Sequence, residues 1–218
     1  MASVSKNLFS VAGKTALITG GGSGIGGFMA QSLADEGASI LLVGRREDKL
    51  KQVLGERDGS IFVIDLSEAG ASQRLFKMVT DRGYQPDIIV NAAGINPRLH
   101  ADEIDEDMWN YTVHLNLNVP FLVAQKFVPA MQANQWGRII NIASMQSSRA
   151  FPNGISYGAA KGGVTQLTRA MAEAWSALGV TANALAPGFF PTDLTSALFA
   201  EPKTAADLAS RTAMGRNG

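Results

Sequence analysis

A tyrosine and a lysine four residues apart, in Tyr157-Gly158-Ala159-Ala160-Lys161, form the pair in this chain best suited to moving a proton. On a helix that spacing puts both side chains on one face, where the ammonium can act on the phenol. A free phenol titrates near ~10, so service as a base at neutral pH needs a shift of about 3 units, roughly 4 kcal/mol. An ammonium about 5 Å away, in an effective dielectric of about 20, supplies roughly 3 kcal/mol. One further positive charge would close the gap without a metal. Such pairs are common on solvated helix faces, and alone this one carries no activity. Ser144 lies thirteen residues before Tyr157, at the end of the apolar run 138–143, and adds a hydroxyl able to hold a reacting oxygen.

A second constellation is Thr19-Gly20-Gly21-Gly22-Ser23-Gly24-Ile25-Gly26, which follows an apolar run and opens a helical pattern. Strand, glycine turn and helix together present free backbone N–H groups and a positive dipole end, a setting for phosphate. The glycines allow a turn at positive φ, close approach to a pyrophosphate and tight helix–strand packing. Because strand and helix are both legible, nucleotide binding is expected here rather than a tight turn alone.

The elements that must position these groups alternate along the chain. β-rich runs are expected at 16–19, 39–43, 61–64, 87–91, 138–143 and 180–185, with helices at 24–36, 46–54, 68–82, 107–134 and 157–178. Most runs are apolar on both faces, the pattern of a parallel sheet covered on two sides. The expectation is an α/β, doubly wound parallel sheet (a Rossmann fold) in a single domain spanning 1–218. Ligands in such sheets lie beyond the carboxyl ends of the strands. After the second run stands Gly44-Arg45-Arg46, with no carboxylate to repel a 2′-phosphate, so NADP(H) is favoured and NAD(H) is possible. Arg45 is the candidate phosphate ligand and Arg46 a solvated helix start. Asp65, before Leu66, either caps the next segment or accepts from an adenine amine.

In order and spacing, the glycine turn, Asn91-Ala92-Ala93-Gly94, Asn116 in Leu115-Asn116-Leu117-Asn118, Ser144, Tyr157 with Lys161, and Pro187-Gly188 resemble the short-chain dehydrogenase/reductase family over nearly the whole chain. The resemblance implies a tetrad. Tyr157 would be the general acid or base, and Ser144 would hold the substrate oxygen. Lys161 would bind the nicotinamide ribose and depress the tyrosine pKa. Asn116 would bend its helix and hold a water that links Lys161 to solvent. Cofactor contacts are expected from Gly20, Ser23, Gly24, Ile25, Gly26, Arg45, Asp65, Leu66, Asn91, Ala92, Ala93, Gly94, Pro187, Gly188 and Thr192. The fragments 141–148 and 186–192 look most like gluconate 5-dehydrogenase-type sugar-acid enzymes, with 3-oxoacyl thioester reductases as the alternative. A nucleotide-binding regulator without turnover is a third reading, opposed by the complete tetrad.

The resemblance also implies a homotetramer or dimer built through the helices at 107–134 and 157–178, and a substrate lid near 189–211. Family members continue for some tens of residues past the position of Gly218, so a further helix and a seventh strand are expected beyond this chain. The 19 basic and 19 acidic residues balance, which speaks against a nucleic-acid partner or an anionic membrane surface. Zero cysteines exclude disulfides and thiolate zinc sites, and two histidines make a metal centre unexpected. Met1–Lys6 opens no apolar stretch of signal-peptide length, so a cytoplasmic protein is expected. His100 and His114 are read as structural, and Trp109, Phe121, Phe127 and Trp175 as core or subunit contact.

Overall fold

The computed structural model describes residues 9–218, so the reading of Met1–Lys6 lies outside the described residues. Strands β1 (Thr15–Thr19), β2 (Ser39–Gly44), β3 (Gly59–Val63), β4 (Ile88–Asn91), β5 (Gly137–Ile142) and β6 (Val180–Leu185) form one sheet in the order β3-β2-β1-β4-β5-β6. Every pairing is parallel, in a register that sets Thr19 beside both Val43 and Asn91 and sets Asn91 beside Asn141. The helices are α1 (Gly24–Asp35), α2 (Glu47–Leu54), α3 (Ala71–Asp81), α4 (Glu106–Val113), α5 (Val119–Ala133), α6 (Ile155–Trp175), α7 (Ser196–Phe199) and α8 (Pro202–Ser210).

The apolar strands are buried on both faces, as the sequence requires. One cluster centres on Leu17, Leu41, Phe62 and Ile139 with residues of α3, α5 and α6, and the other on Ile18, Ile40, Leu42 and Val90 with α1 and α2. Truncating a fully buried side chain such as Leu41 to alanine should cost about 2–5 kcal/mol. This two-sided core holds the strand ends in place beneath the site.

The single helix expected over 107–134 is two helices joined by a π-helical turn, His114–Asn118. The apolar pattern runs unbroken through that turn, so the extra residue leaves no mark in the periodicity. Trp109 is 38% exposed rather than core, whereas Phe127 is buried and Phe121 and Trp175 pack against the core partly covered. His100 caps a short 3₁₀ turn, Ala101–Glu103. No helix among the described residues is long and apolar enough to cross a membrane.

Candidate active site

The carboxyl ends of the strands open into a cavity of about 490 Å³. On one side is the glycine loop. Gly20 has φ +67°, and its backbone passes so near the β4 loop that a Cβ there would lie 2.8–2.9 Å from the Ala92–Ala93 backbone. Thr19 fastens the two loops: its Oγ1 accepts from the Ala92 and Ala93 amides, both at 3.2 Å. Ser23 is the N-cap of the twelve-residue α1 but makes no capping bond, and the first turn carries no acidic residue. The orphan amides of that turn, with a dipole end that no carboxylate answers, fit an anionic pyrophosphate. The cofactor-contact residues foreseen from sequence line this cavity, with one exception. Asn91 is buried in the sheet, its amide donating to Pro120 O at 3.2 Å and to Asn141 Oδ1 at 2.8 Å. A residue inside a buried strand turns its side chain to a sheet face rather than off the strand's end.

At the end of β2, Arg45 stands 3.5 Å from Asp65. Asp65 Oδ1 accepts from the Ser67 amide at 2.9 Å and from its hydroxyl at 2.6 Å, closing the turn that follows β3. Burial raises the Asp65 pKa, but the Ser67 bonds and Arg45 outweigh it and hold the carboxyl below its ordinary value. Arg46 is more than a solvated helix start. Its guanidinium donates to Ser23 Oγ at 3.0 Å and to Asp193 at 2.8 Å, reaching from α2 to the segment that covers the glycine loop. Thr192, in that same segment, lies 3.2 Å from where a Gly24 Cβ would stand.

On the other side of the cavity are Asn116, Ser144, Tyr157 and Lys161. Ser144 Oγ accepts the Gln146 amide at 3.1 Å, which leaves the hydroxyl proton free to be donated. Tyr157 and Lys161 sit one turn apart on α6, both buried, with Nζ 5.6 Å from the phenol ring centroid. Lys161 donates to Ile142 O at 2.6 Å. Asn116 occupies the π turn, donating from Nδ2 to Ile95 O and Thr112 O, both at 2.9 Å. Its Oδ1 is buried without a partner among the described residues. A Cβ on Gly94 would lie 2.5 Å from that oxygen and 3.7 Å from Lys161 Nζ, so only glycine leaves the two groups this shared space.

The electrostatics depart from the expected depression of the phenol by Lys161. Burial is the largest influence on Tyr157 and raises its pKa; the Ser144 hydroxyl and the Arg98 guanidinium pull the other way. Burial also lowers Lys161 to about 8, so the ammonium at hand is itself easily discharged. Both groups have lost water, and desolvation disfavours whichever form is charged. The arrangement can pass a proton to or from an oxygen held between Ser144 and Tyr157.

Arg46 was read only as a helix start, and Arg98 and Gln146 were not singled out from the sequence. Arg98 has φ +55°, lines the cavity and donates to Leu194 O at 3.3 Å. It has no spacing partner in the sequence. Gln146 follows Ser144 by two residues, a proximity that was its one available signal.

Compared with known proteins, residues 14–203 match the family described as short chain dehydrogenase. The chain is 36% identical over 218 residues to a gluconate 5-dehydrogenase of Gluconobacter oxydans (strain 621H), covering 97% of this chain and 85% of that one. It is 33% identical to a 3-oxoacyl-[acyl-carrier-protein] reductase of Vibrio cholerae, covering 88% and 80%. A crystal structure of a gluconate 5-dehydrogenase from Burkholderia cenocepacia J2315, in complex with NADP and tartrate, superposes with a TM-score of 0.89 at 37% identity, covering 96% and 84%. The family match covers 14–203, which takes in the whole six-stranded parallel sheet, the glycine loop and Ser144, Tyr157 and Lys161, and the chain belongs to the short chain dehydrogenase family.

Proposed function

We propose that this protein is an NADP(H)-dependent oxidoreductase that interconverts a secondary alcohol and a ketone in a sugar acid, as in gluconate 5-dehydrogenase. The observation that carries the acid substrate is Arg98: its guanidinium lines the cavity and acts on Tyr157, so a cation faces the phenol where a carboxylate-bearing substrate would sit. Guanidinium groups pair with carboxylates in bidentate fashion.

The nicotinamide, when bound, supplies or takes the hydride. The chain does the rest. First-turn amides of α1 and the Arg45 guanidinium hold phosphate groups. Ser144 donates its free proton to the substrate oxygen, and Tyr157 gives a proton to that oxygen in reduction or removes it in oxidation. Lys161, lowered to about 8, takes up or releases the compensating proton through a water that the unpartnered Asn116 Oδ1 would hold. Residues 1–218 act as one domain in this reading, with 189–211 as its lid. A cytoplasmic location and assembly as a homotetramer or dimer belong to it by family membership.

The second reading, reduction of a 3-oxoacyl thioester, is favoured by the apolar wall of Phe151 and Phe189, whose rings meet edge to face at 6.1 Å. A panel of ketogluconates, polyols and acetoacetyl thioesters with NADPH or NADP⁺ decides between the two. Turnover of the ketogluconate at least tenfold above the thioester, in kcat/KM, is the expected result; the reverse order would replace this assignment with the second.

A further inference from the structure

Gln146 follows Ser144 on the 3₁₀ turn Met145–Ser147. Its backbone amide donates to Ser144 Oγ, so its position is tied to the hydroxyl that faces Tyr157. Its side-chain amide, by contrast, makes no hydrogen bond among the described residues. It lies against the start of α6, where no side chain intervenes. A Cβ on Gly154 would collide with Oε1 and lie 3.3 Å from Nε2, and one on Gly158 would lie 3.5 Å from Oε1. Gly154, the N-cap of the helix that carries Tyr157, therefore leaves room for this amide, while a methyl at Gly158 would sit in ordinary contact with it.

The amide also stands in a wall. Gln146 and Phe151 line the catalytic cavity and, on their other side, a second cavity of about 650 Å³ with His100, Arg149 and Asn153. A substrate whose reacting oxygen lies between Ser144 and Tyr157 shares its cavity with this wall. A primary amide offers two donors and one acceptor, so it can both give to and take from a hydroxyl. Left without a protein partner, it stays solvated until a ligand displaces the water, and an apolar group in that place would leave it unpaired.

We infer that Gln146 is a specificity-determining residue that reads a hydroxyl on the carbon next to the reacting carbon of the substrate. The inference rests on the reading of the substrate as polyhydroxylated. It sets α-hydroxyketones apart from simple ketones and from 3-oxoacyl groups, whose carbons beside the ketone carry no hydroxyl.

The test measures kcat/KM on two pairs that differ by that hydroxyl alone: a ketogluconate against the analogue deoxygenated beside the carbonyl, and acetoin against butanone. The wild type should prefer the hydroxylated member of each pair by about tenfold or more. Gln146→Leu should erase most of that preference, chiefly by raising KM for the hydroxylated member, with the deoxygenated member within about threefold of wild type and NADPH affinity kept. Gly154→Ala, whose methyl evicts the amide without touching Gln146, should act in the same direction, so a poorly folded Gln146→Leu does not decide the matter. Equal losses on both members, or a wild type indifferent to the hydroxyl in both pairs, would overturn the inference. The pairs also separate this inference from the functional proposal. If no ketogluconate is reduced but acetoin preference is present and lost in the variants, the sugar-acid reading fails and Gln146 keeps its role. If ketogluconate is reduced with no preference over the deoxygenated analogue, and acetoin with none over butanone, the reverse holds.

Discussion

Arg46 and Asp193 meet at 2.8 Å across the mouth of the cavity, joining the start of α2 to the segment that lies over the glycine loop. Arg46 draws the Asp193 carboxyl below its ordinary value. Both side chains are more than half exposed, and an ion pair in such a setting adds little to folding. Its effect should fall on the motion of the cover instead. Asp193→Asn is expected to leave the melting temperature unchanged while speeding NADPH release several-fold in stopped-flow fluorescence; an unchanged release rate would separate this pair from the cover.

Tyr157→Phe keeps the ring in its buried place and removes the only phenol at the reacting position. Turnover should fall by about 10²–10⁴-fold, the usual contribution of general acid–base catalysis. NADPH binding, followed by fluorescence titration, should stay within a few-fold of wild type. Retained turnover would rule out the assigned mechanism.

Arg45 carries the cofactor choice. Its contact with Asp65 is long and its guanidinium 60% exposed, so it is free to turn toward a 2′-phosphate. Arg45→Ala should weaken NADPH by about tenfold or more and NADH hardly at all, since a charged hydrogen bond is worth about 1.5–3 kcal/mol before solvent screening. Equal losses for both cofactors would exclude the phosphate contact.

Arg98→Gln should reduce kcat/KM for the acid substrate by about tenfold or more while sparing a neutral polyol of the same length. The Arg98 charge lowers the Tyr157 pKa, so its removal should also move the alkaline limb of the pH–rate profile upward. A profile that stays in place would show that the guanidinium does not reach the phenol.

Buried Lys161 should cost stability at neutral pH. Its pKa falls from 10.5 unfolded to about 8 folded, so between those values the unfolded chain binds more protons and stability rises with pH. The cost is full below about pH 8 and gone above about pH 10.5, and a shift of this size corresponds to about 3 kcal/mol. Lys161→Met should thus be inactive yet more stable than wild type at pH 7, with the advantage shrinking as pH rises through that window in paired urea titrations. A pH-independent difference would mean that the lysine is not strained by burial.

Most of the frame could be read from the chain because buried parallel strands write themselves as apolar runs: β6 matches its expected bounds, and the other strands shift by a residue or two. The π turn left no mark in the periodicity, since Leu115 and Asn116 turn inward with no change in pattern; only the family resemblance pointed to a bend at Asn116. Nor could the work of Arg46 and Arg98, whose partners Asp193 and Leu194 lie 147 and 96 residues away. Spacing locates Asn91 at the end of β4 but says nothing about which way it turns, and its amide bonds across the sheet to Asn141. The Tyr157–Lys161 spacing was legible, but the sign of its electrostatics depended on burial, which only the packed helix decides.

The strand order carries a consequence for how the protein is made. On a ribosome, β2 can pair with β1 and then with β3 as soon as they emerge, but the other side of β1 waits for β4, because Thr19 pairs with Asn91. Such separated pairings form slowly and leave half-built intermediates prone to clumping. Translation should therefore pass through a stage in which the nucleotide-binding half is formed and sticky while the proton-transfer half is still unmade, the stage at which a chaperone would have most to do.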